Sequence, residues 1–432
     1  MHKKFARELI DFIYESPTAF HAANKIKMEL EAAEFRELKE GDRWNIINGG
    51  KYYVTKNESA IIAFTVGKKS PAEKGFRIVG AHTDSPGFRI KPNPEMSEGK
   101  HYIKLNTEVY GSPILSTWFD RPLALAGRVT LKTDNPLYPE TQLININKPV
   151  MVIPNLSIHM NRNVNDGVAL NRQKETLPLI ATINEGFSKD NLIIKVIAKE
   201  LKVKEKEILD FDLFPYEYEK GEIIGLNEEF ISSSRLDDLS MVHAGLQALI
   251  KAGESDGTNV LACYDNEEVG SSTKQGADSE LLSGILERII LSMKGGREDY
   301  FRSLAKSFLI SADLAHALHP NYAEKNDPVI KPVLNGGPVI KVAASQSYTT
   351  DADSSAVYQE ICRKADVPCQ KFVNRSDMRG GSTIGPISST HLNLRSVDMG
   401  SPLLGMHALR ELAGVSDHYY TFRSFEEFYN LN

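Results

Sequence analysis

The stretch NVLACYDNEEVGSS, residues 259–272, is a short apolar run that ends in two adjacent glutamates, Glu267 and Glu268, with a glycine soon after. A short apolar run of this kind predicts a buried strand. Adjacent side chains on a strand point to opposite faces, so both carboxylates can reach one place only where the strand ends. The pair therefore indicates either a solvated turn or a site at the carboxyl end of a strand.

Further apolar runs alternate with helical patterns along the chain. The predicted strands are SAIIAFTVG (59–67), FRIVGAH (76–82), NVLACY (259–264), SFLISAD (307–313), GPVIKVA (337–343) and VPCQKFV (367–373). The predicted helices are an N-terminal helix with Phe5, Leu9, Phe12 and Ile13 on one face, LSMVHAGLQALI (239–250), LLSGILERIILSM (281–293), SSAVYQEICRKA (354–365) and a last helix near MHALRELAG (406–414). This alternation predicts an α/β fold, with a mixed sheet flanked by helices on both faces.

The middle of the chain has a different pattern. Alternating apolar and polar residues recur, with many turn residues between them, in HYIKLNTEVY (101–110), RVTLKT (128–133) and NLIIKVIAKEL (191–201). We predict that residues 93–230 form a separate β-rich domain, inserted between residues 1–92 and 231–432 of a catalytic domain.

Composition narrows the class of protein. The chain has 432 residues, more than the roughly 250–300 at which single cores usually split, so two domains are expected. A formal charge of −6 gives no reason to expect nucleic acid or an anionic membrane as a partner, and no apolar run is long enough to span a bilayer. Only three cysteines occur, Cys263, Cys362 and Cys369, which favours buried apolar roles, no disulfide framework and a cytoplasmic location.

His82 and Asp84 lie where the strand FRIVGAH ends. In open α/β sheets, sites form outside the carboxyl ends of the strands. Two residues apart, these side chains would face the same side of an extended chain, which suits a histidine ligand whose second ring nitrogen is held by a carboxylate. A turn with an aspartate cap is the alternative.

Other polar residues stand at comparable places. Asp237 and Asp238 come just before a predicted helix, so one of them could cap that helix while the other binds a metal. Asp313 ends the strand SFLISAD, and His407 lies close to the start of the predicted last helix. Each residue taken alone also fits a structural role.

Taken together, the group His82, Asp237, Glu268, Asp313 and His407 has the composition of a two-metal site. Histidine and carboxylate ligands without cysteine suit zinc, manganese or cobalt. Two adjacent ions need a bridging carboxylate and terminal ligands on each side, which this group can supply. Glu267 then stays free beside Glu268 to act as general base for a metal-bound water.

At these residues the chain resembles the M18 family of metallopeptidases, the aspartyl aminopeptidase family. The matching stretches run in order from residue 80 to beyond residue 400: GAHTDSPGFRIKP, PNLSIHMNR, SSSRLDDL, CYDNEEVGS, SADLAHALHPNY, GPVIKV, GSTIGP and DMGSPLLGMHALRE. Eight ordered motifs across nearly the whole chain make the resemblance specific.

The resemblance implies a dinuclear aminopeptidase, most simply with two zinc ions, although manganese or cobalt would also suit the ligands. His82, Asp237 and Asp313 would hold one ion. Asp237 would bridge to the second ion, which Glu268 and His407 complete. Glu267 would be the general base, and Asp84 would orient His82.

The resemblance also implies partners and substrates. The inserted domain would be a dimerisation domain, dimers would assemble into a dodecamer, and His159 would reach the active site of a neighbouring subunit to stabilise the oxyanion. Lys341, Tyr348, Arg379 and Gly381 match or adjoin the part of the family that faces the substrate, where a fixed cation would favour peptides with an acidic N-terminal residue. For His159, burial in the dimer contact is the alternative; for Lys341, it is a solvated surface position.

Two other functions fit the same ligands. One is an aminopeptidase or deacylase of broader specificity, similar to the M42 aminopeptidases. The other is a self-assembling shell that retains metals without turnover. The intact Glu267 argues against the second, since a chain without activity need not keep a general base.

Overall fold

The computed structural model describes residues 1–183 and 191–431. Its α-helices within these residues are α1 (His2–Tyr14), α2 (Ala19–Ala32), α3 (Pro71–Lys74), α4 (Leu192–Leu201), α5 (Leu236–Lys251), α6 (Leu281–Ser292), α7 (Arg297–Ala305), α8 (Ala352–Ala365), α9 (Ile384–Leu392) and α10 (Val415–Asn430). The strands are β1 (Arg36–Glu37), β2 (Lys51–Lys56), β3 (Ala60–Thr65), β4 (Phe76–His82), β5 (Gly87–Glu98), β6 (Tyr102–Tyr110), β7 (Leu123–Leu131), β8 (Glu140–Met151), β9 (Leu179–Thr182), β10 (Ile208–Glu217), β11 (Glu222–Ile224), β12 (Phe230–Ser233), β13 (Thr258–Tyr264), β14 (Phe308–Ala312), β15 (Ala315–His316), β16 (Val339–Val342), β17 (Gln370–Val373), β18 (Arg395–Gly400), β19 (Pro402–Leu404) and β20 (Glu411–Gly414). None of the helices in this described part is both long and apolar enough to cross a membrane.

Contacts between residues divide the chain into two compact units. The first contains Met1–Asp84, Gly221–Met406 and Glu411–Asn432. The second contains Ser85–Lys220 and His407–Arg410. The predicted domain limits, and the role of the insertion in dimerisation, stay predictions.

The first unit is built on a nine-stranded mixed sheet with the order β1-β2-β3-β13-β4-β14-β18-β16-β17. Its centre is parallel, because β13 pairs with β4, β4 with β14, and β14 with β18 in the same direction. Antiparallel pairs flank this centre, β3 with β13 and β16 with β18. The predicted mixed sheet is confirmed.

The central strands of this sheet are buried on both faces. Alternate residues of β3 and β4, such as Ala63 and Val79, pack into one core with the apolar sides of α1, α2, α5, α8 and α10. The residues between them, such as Phe64 and Ile78, pack into a second core with α6, α7 and α9. This arrangement explains why the strand sequences are continuous apolar runs, and it confirms the predicted layers of helices on both faces.

The parallel centre determines where a site can form. In the register of β13 and β4, Tyr264 lies opposite His82, so the residues that follow these two strands emerge side by side. The neighbouring strand β14 ends at Ala312, immediately before Asp313. The carboxyl ends of three adjacent strands therefore deliver the predicted polar residues to one edge of the sheet.

The second unit contains two antiparallel three-stranded sheets, with the orders β10-β7-β8 and β5-β6-β9. Its own core includes Phe88, Trp118, Leu125, Ile144 and Leu213. Two sheets and a separate core account for the many turn residues in this part of the sequence.

Two predicted elements were wrong. Residues 191–201 were expected to be a strand, but Leu192–Leu201 is the helix α4, which buries Ile193 and Ile197, one helical turn apart, and exposes the lysines between its apolar positions. The last helix does not include residues 406–414, because Glu411–Gly414 pairs as strand β20 with β12 and β19, and α10 begins at Val415. In that segment, pairing with distant strands outweighs a local preference for helix.

A buried histidine pair joins α5 to α10 and makes the stability of the fold depend on pH. His243 Nδ1 lies 2.9 Å from His418 Nε2, and the ring of Phe5 on α1 stacks on His418. Burial lowers the pKa of His418 to about 3, and burial followed by repulsion from His418 lowers the pKa of His243. The unfolded chain therefore binds protons that the folded chain excludes, and stability is lost as the pH falls below about 6.5.

We expect the double variant His243→Gln/His418→Gln to weaken this pH dependence. Each removed histidine should flatten the fall in unfolding free energy by up to about 1.4 kcal/mol per pH unit between pH 6 and pH 4. The measurement is denaturant unfolding at several pH values, with a chelator present so that metal release does not contribute. The exposed His101→Gln variant is the control. Equal pH dependence in the double variant and the wild type would contradict the assignment.

Candidate metal centre

The strand ends of the first unit and the start of α5 bring one histidine and five carboxylates together. His82, Asp237, Asp238 and Asp313 each offer a ligand atom within 4.8 Å of the others. His82, Glu267 and Glu268 form a second group by the same measure. The two groups share His82, so they form one continuous cluster that could hold two metal ions.

Burial and mutual repulsion dominate the electrostatics of this cluster. Burial raises the pKa of Glu267 to about 7, and burial with repulsion from Asp237 raises the pKa of Glu268 well above its ordinary value. Burial alone would lower the pKa of His82, but Asp238 and Asp237 outweigh it and raise that pKa well above the usual value. Concentrating so many carboxylates away from water is unfavourable unless cations neutralise them.

Asp84 positions the two adjacent glutamates, Glu267 and Glu268. Its Oδ1 accepts the backbone N–H of Glu267 and its Oδ2 accepts the backbone N–H of Glu268, both at 3.1 Å. Its backbone carbonyl oxygen lies 3.1 Å from His82 Nδ1, and its carboxylate lies 3.4 Å from the same nitrogen. Asp84 therefore contacts His82, as expected for a residue that orients it. Asp84 also fixes the turn that carries both glutamates, and this second role was not predicted from sequence.

Two further acids fix the backbone of predicted ligands. Asp238 Oδ2 accepts the N–H of His82 at 3.1 Å, and Glu411 Oε2 accepts the N–H of Asp237 at 3.0 Å. Asp237 and Asp238 have non-helical torsions at the start of α5, and the residue at its N-cap makes no side-chain capping hydrogen bond. Asp238 instead contacts the backbone of β4. Glu411 was missed because its segment was predicted to be a helix. Its position in a buried strand could not be read from local sequence.

The residues fit a pair of divalent cations by chemistry as well as proximity. Asp238 Oδ1 is buried and, among the described residues, receives no hydrogen bond, while the other oxygen of the same carboxylate is bound to His82. A buried carboxylate oxygen without a donor is expected where a cation lies nearby. Imidazole together with carboxylates is a typical donor set for zinc.

Lys341 lies beside the cluster on β16. It is 2% exposed, and its Nζ lies 3.2 Å from Asp313 Oδ2 and 3.1 Å from the carbonyl oxygen of Leu314. Burial alone would lower the pKa of Lys341, but Asp313 outweighs it and raises that pKa. Tyr348 is also buried, with Nζ of Lys341 5.3 Å from the centre of its ring. Lys341 is therefore a buried cation paired with a predicted metal ligand, and the solvated alternative is wrong.

The remaining predicted residues lie in more open surroundings. Arg379 and Gly381 are exposed in the segment before α9, and a side chain added at Gly381 would meet nothing within 4 Å. Close approach occurs instead at Gly385, where an added Cβ would come within 2.5 Å of the Asp398 carboxylate.

Two predicted site residues belong to the second unit. His159 is exposed in a turn. His407 has its Nδ1 3.1 Å from the carbonyl oxygen of Ser112, and it lies outside a helix, contrary to the prediction for this segment. Its role as a metal ligand stays a prediction.

Comparison with known proteins agrees with this donor chemistry. A family model described as aminopeptidase I zinc metalloprotease (M18) matches residues 12–429. A probable M18 family aminopeptidase 2 from Clostridium novyi (strain NT) is 66% identical over 428 residues, covering 99% of each chain.

Solved structures of two related chains also match this chain over nearly its whole length. The structure of the Ape4 and Nbr1 complex contains a chain with 37% identity and a TM-score of 0.94, and the match covers 99% of this chain and 86% of that one. The mApe1 dodecamer from S. cerevisiae matches at 28% identity with a TM-score of 0.85, covering 98% of this chain and 95% of that chain. The resemblance found in the motifs is confirmed, and this chain belongs to the M18 family, as a zinc-dependent metalloaminopeptidase.

Proposed function

We propose that this aminopeptidase removes the N-terminal residue of peptides at a dinuclear metal centre, with Glu267 as general base and a preference for N-terminal Asp or Glu. The observation that carries the proposal is the buried cluster of His82 and five carboxylates at one edge of the sheet. Glu267 belongs to this cluster through its group with His82 and Glu268, and it lies outside the group formed by His82, Asp237, Asp238 and Asp313.

The proposed ligand assignment divides the cluster between two ions. His82, Asp237 and Asp313 would hold the first, and Asp237 would also contribute to the second, together with Glu268 and with His407 as the remaining predicted ligand. Divalent ions bound there would polarise the scissile carbonyl and lower the pKa of a bound water toward about 7. Zinc is proposed as the native metal, with manganese and cobalt as alternatives.

The residues of the chain then perform the proton transfers. Glu267 accepts a proton from the attacking water as its oxygen bonds to the carbonyl carbon, and later donates that proton to the departing amine. Asp84 keeps Glu267 in place through the backbone N–H that it accepts. His159 of a neighbouring subunit would stabilise the oxyanion.

We expect Asp84→Asn to lower turnover by about tenfold to a hundredfold, the range found for residues that orient ligands. Asparagine has only one side-chain oxygen, so it can accept the N–H of Glu267 or that of Glu268. Its NH₂ group would then face the remaining N–H, which it cannot accept. Turnover and bound metal should be measured together, with the exposed Asp134→Asn variant as the control. Turnover at the wild-type level in Asp84→Asn would contradict the positioning role.

The preference for acidic residues rests on cations near the proposed substrate site. Lys341 is buried beside Asp313, and Arg379 is exposed in the segment before α9. A fixed cation favours a carboxylate side chain on the substrate over a neutral or basic one. Tyr348 and Gly381 are proposed to line the same substrate position.

A panel of aminoacyl anilides tests the activity and its specificity. The panel contains Asp, Glu, Leu and Lys derivatives with free amines and the same compounds with blocked amines, each assayed with zinc, manganese and cobalt. We expect kcat/KM for Asp and Glu to exceed that for Leu by about tenfold or more, with no cleavage of blocked compounds. Cleavage of blocked compounds would favour a deacylase, and equal rates for Leu and Asp would contradict the acidic preference.

Arg379 permits a sharper test of specificity because it is exposed and distant in sequence from the ligands. If it contacts the acidic side chain, Arg379→Gln should reduce kcat/KM for Asp and Glu substrates while leaving that for Leu unchanged. Arg375→Gln, at the start of the same segment, is the matched control. A uniform loss across all substrates would exclude a specificity role for Arg379.

We also propose assembly into dimers and a dodecamer, in the cytoplasm. Similarity to the mApe1 dodecamer supports this assembly, and so do the exposed apolar side chains of the second unit, including Leu137, Tyr138 and Met160. If His159 acts in a neighbouring subunit, His159→Ala and Glu267→Gln chains should complement each other. Co-assembled equally, they should recover up to about a quarter of wild-type turnover, because half of random dimers pair the two variants and one of their two sites is intact.

A further inference from the structure

A cavity of about 370 Å³ lies away from the acidic cluster, where α8 ends and β17 begins. Its lining includes Cys362 and Cys369 together with the basic residues Arg363 and Lys371. Neither cysteine takes part in the proposed reaction.

The end of α8 brings the two thiols together. Asp366 adopts a left-handed conformation with φ of 55°, and the N–H of Val367 returns to the carbonyl oxygen of Cys362 at 3.0 Å. This is the hydrogen-bonding pattern that commonly ends a helix, and Pro368 prevents the helix from continuing. The chain reverses there, so that Cys369 lines the same cavity as Cys362, with its Sγ 3.7 Å from the carbonyl oxygen of Gln370.

The two cysteines differ in exposure and acidity. Cys362 is buried, while Cys369 is partly exposed. Interaction with Cys362 lowers the pKa of Cys369; burial opposes this effect and Lys371 adds to it. Interaction with Cys369, together with burial, raises the pKa of Cys362. Thiolate character and access to solvent are the two properties that make a cysteine reactive.

We propose that Cys362 and Cys369 form a reversible dithiol–disulfide modification site, in which Cys369 reacts with hydroperoxides entering the cavity and Cys362 resolves the product. Both cysteines line one cavity on either side of a single short turn, so closing the bond requires movement only within that turn. Lys371 places positive charge where the anionic sulfur and the departing hydroxide develop, whereas Arg363 in the same lining is paired with Glu360.

The chemistry balances with hydrogen peroxide as the oxidant. The Cys369 thiolate attacks one peroxide oxygen, so that an S–O bond forms, the O–O bond breaks, and hydroxide leaves and is protonated to water. The Cys362 thiolate then attacks the sulfur of Cys369, so that an S–S bond forms, the S–O bond breaks, and a second water leaves. Two thiols are oxidised to one disulfide while one peroxide is reduced to two waters, and a low-molecular-weight thiol reverses the change by exchange.

Peptide mapping of the intact protein tests the site. Trypsin cleaves after Arg363, Lys364 and Lys371, so Cys362 and Cys369 fall on different peptides, residues 342–363 and 365–371. After brief treatment with dilute hydrogen peroxide and alkylation, we expect these two peptides to be joined by a disulfide that dithiothreitol removes. The fully buried Cys263, whose pKa burial raises, should remain a free thiol and serves as the internal control.

Variants assign the roles within the pair. Cys362→Ser should accumulate a sulfenic acid on Cys369 that dimedone traps, while Cys369→Ser should give no dimedone adduct at residue 362. Lys371→Gln should slow oxidation several-fold relative to Lys364→Gln, a lysine that does not line the cavity. The two lysine variants should keep the wild-type thermal unfolding midpoint, while Cys362→Ser is expected to lower it because Cys362 is buried in the core, and it is assayed below its own midpoint.

Three results would overturn the proposal. They are oxidation of Cys263 at the same rate as Cys369, a disulfide only between separate chains, and a dimedone adduct on Cys362 in place of Cys369. Because the readout is covalent mass and not peptide hydrolysis, failure here leaves the proposed function of the acidic cluster untouched.

Discussion

Glu267→Gln is expected to lower turnover by at least about a hundredfold, the lower end of the contribution of a general base, while leaving metal content near the wild-type value. Glutamine keeps the volume of the side chain and the backbone N–H that Asp84 accepts. It cannot take a proton at the pH of the assay. The loss should therefore fall on kcat, with the substrate still bound.

Glu268→Gln is the matched control, because it changes the adjacent residue of the same turn in the same way. Its backbone N–H is held by the other oxygen of Asp84. If Glu268 is a ligand, this variant should lose bound metal as well as turnover, and added metal should restore part of the activity. Turnover at the wild-type level in Glu267→Gln would show that the base lies elsewhere.

Asp237→Ala is expected to reduce metal content, measured after dialysis, from two ions per chain towards one or none, with loss of nearly all turnover. A bridging carboxylate serves both ions, so its removal should weaken both sites. The backbone of Asp237 is held by Glu411, so the truncation should leave the start of α5 in place. Metal content by mass spectrometry and affinity by competition with a chelator are the measurements.

Asp238→Asn separates this effect from a general loss of the acidic cluster. It neutralises the next residue but keeps an oxygen that can accept the N–H of His82. We expect weaker metal binding than in the wild type but more metal than in Asp237→Ala. Full metal occupancy in Asp237→Ala would exclude the bridge, and equal loss in both variants would show that the two carboxylates share the role.

Local sequence was informative at the ends of three strands. The apolar runs before His82, Glu267 and Asp313 are strands, and in the structure all three residues lie in the same cluster. This could be predicted because the direction of adjacent parallel strands is enough to place their carboxyl ends on one edge. Lys341 was harder to interpret, since a lysine at the end of a strand is compatible with either solvent or a buried ion pair.

The contacts that hold the ligands in place were not visible in the sequence. Asp238 and His82 are 156 residues apart, Asp237 and Glu411 are 174 apart, and Asp84 and Glu267 are 183 apart. Each contact joins a carboxylate to a backbone N–H, a donor that nearly every residue carries, so no residue type marks the partner. Glu411 is an example of a contact that local sequence could not show. Its segment was predicted to be a helix, but pairing with two distant strands, β12 and β19, makes that segment the strand β20.

The motifs in the chain thus establish which chemical groups are available and the kind of sheet that gathers them. Their distances, and the acids that position them, depend on long-range packing of the folded chain. Strand direction and side-chain chemistry are local properties, whereas a hydrogen bond to a particular backbone amide exists only after segments far apart in sequence have come together.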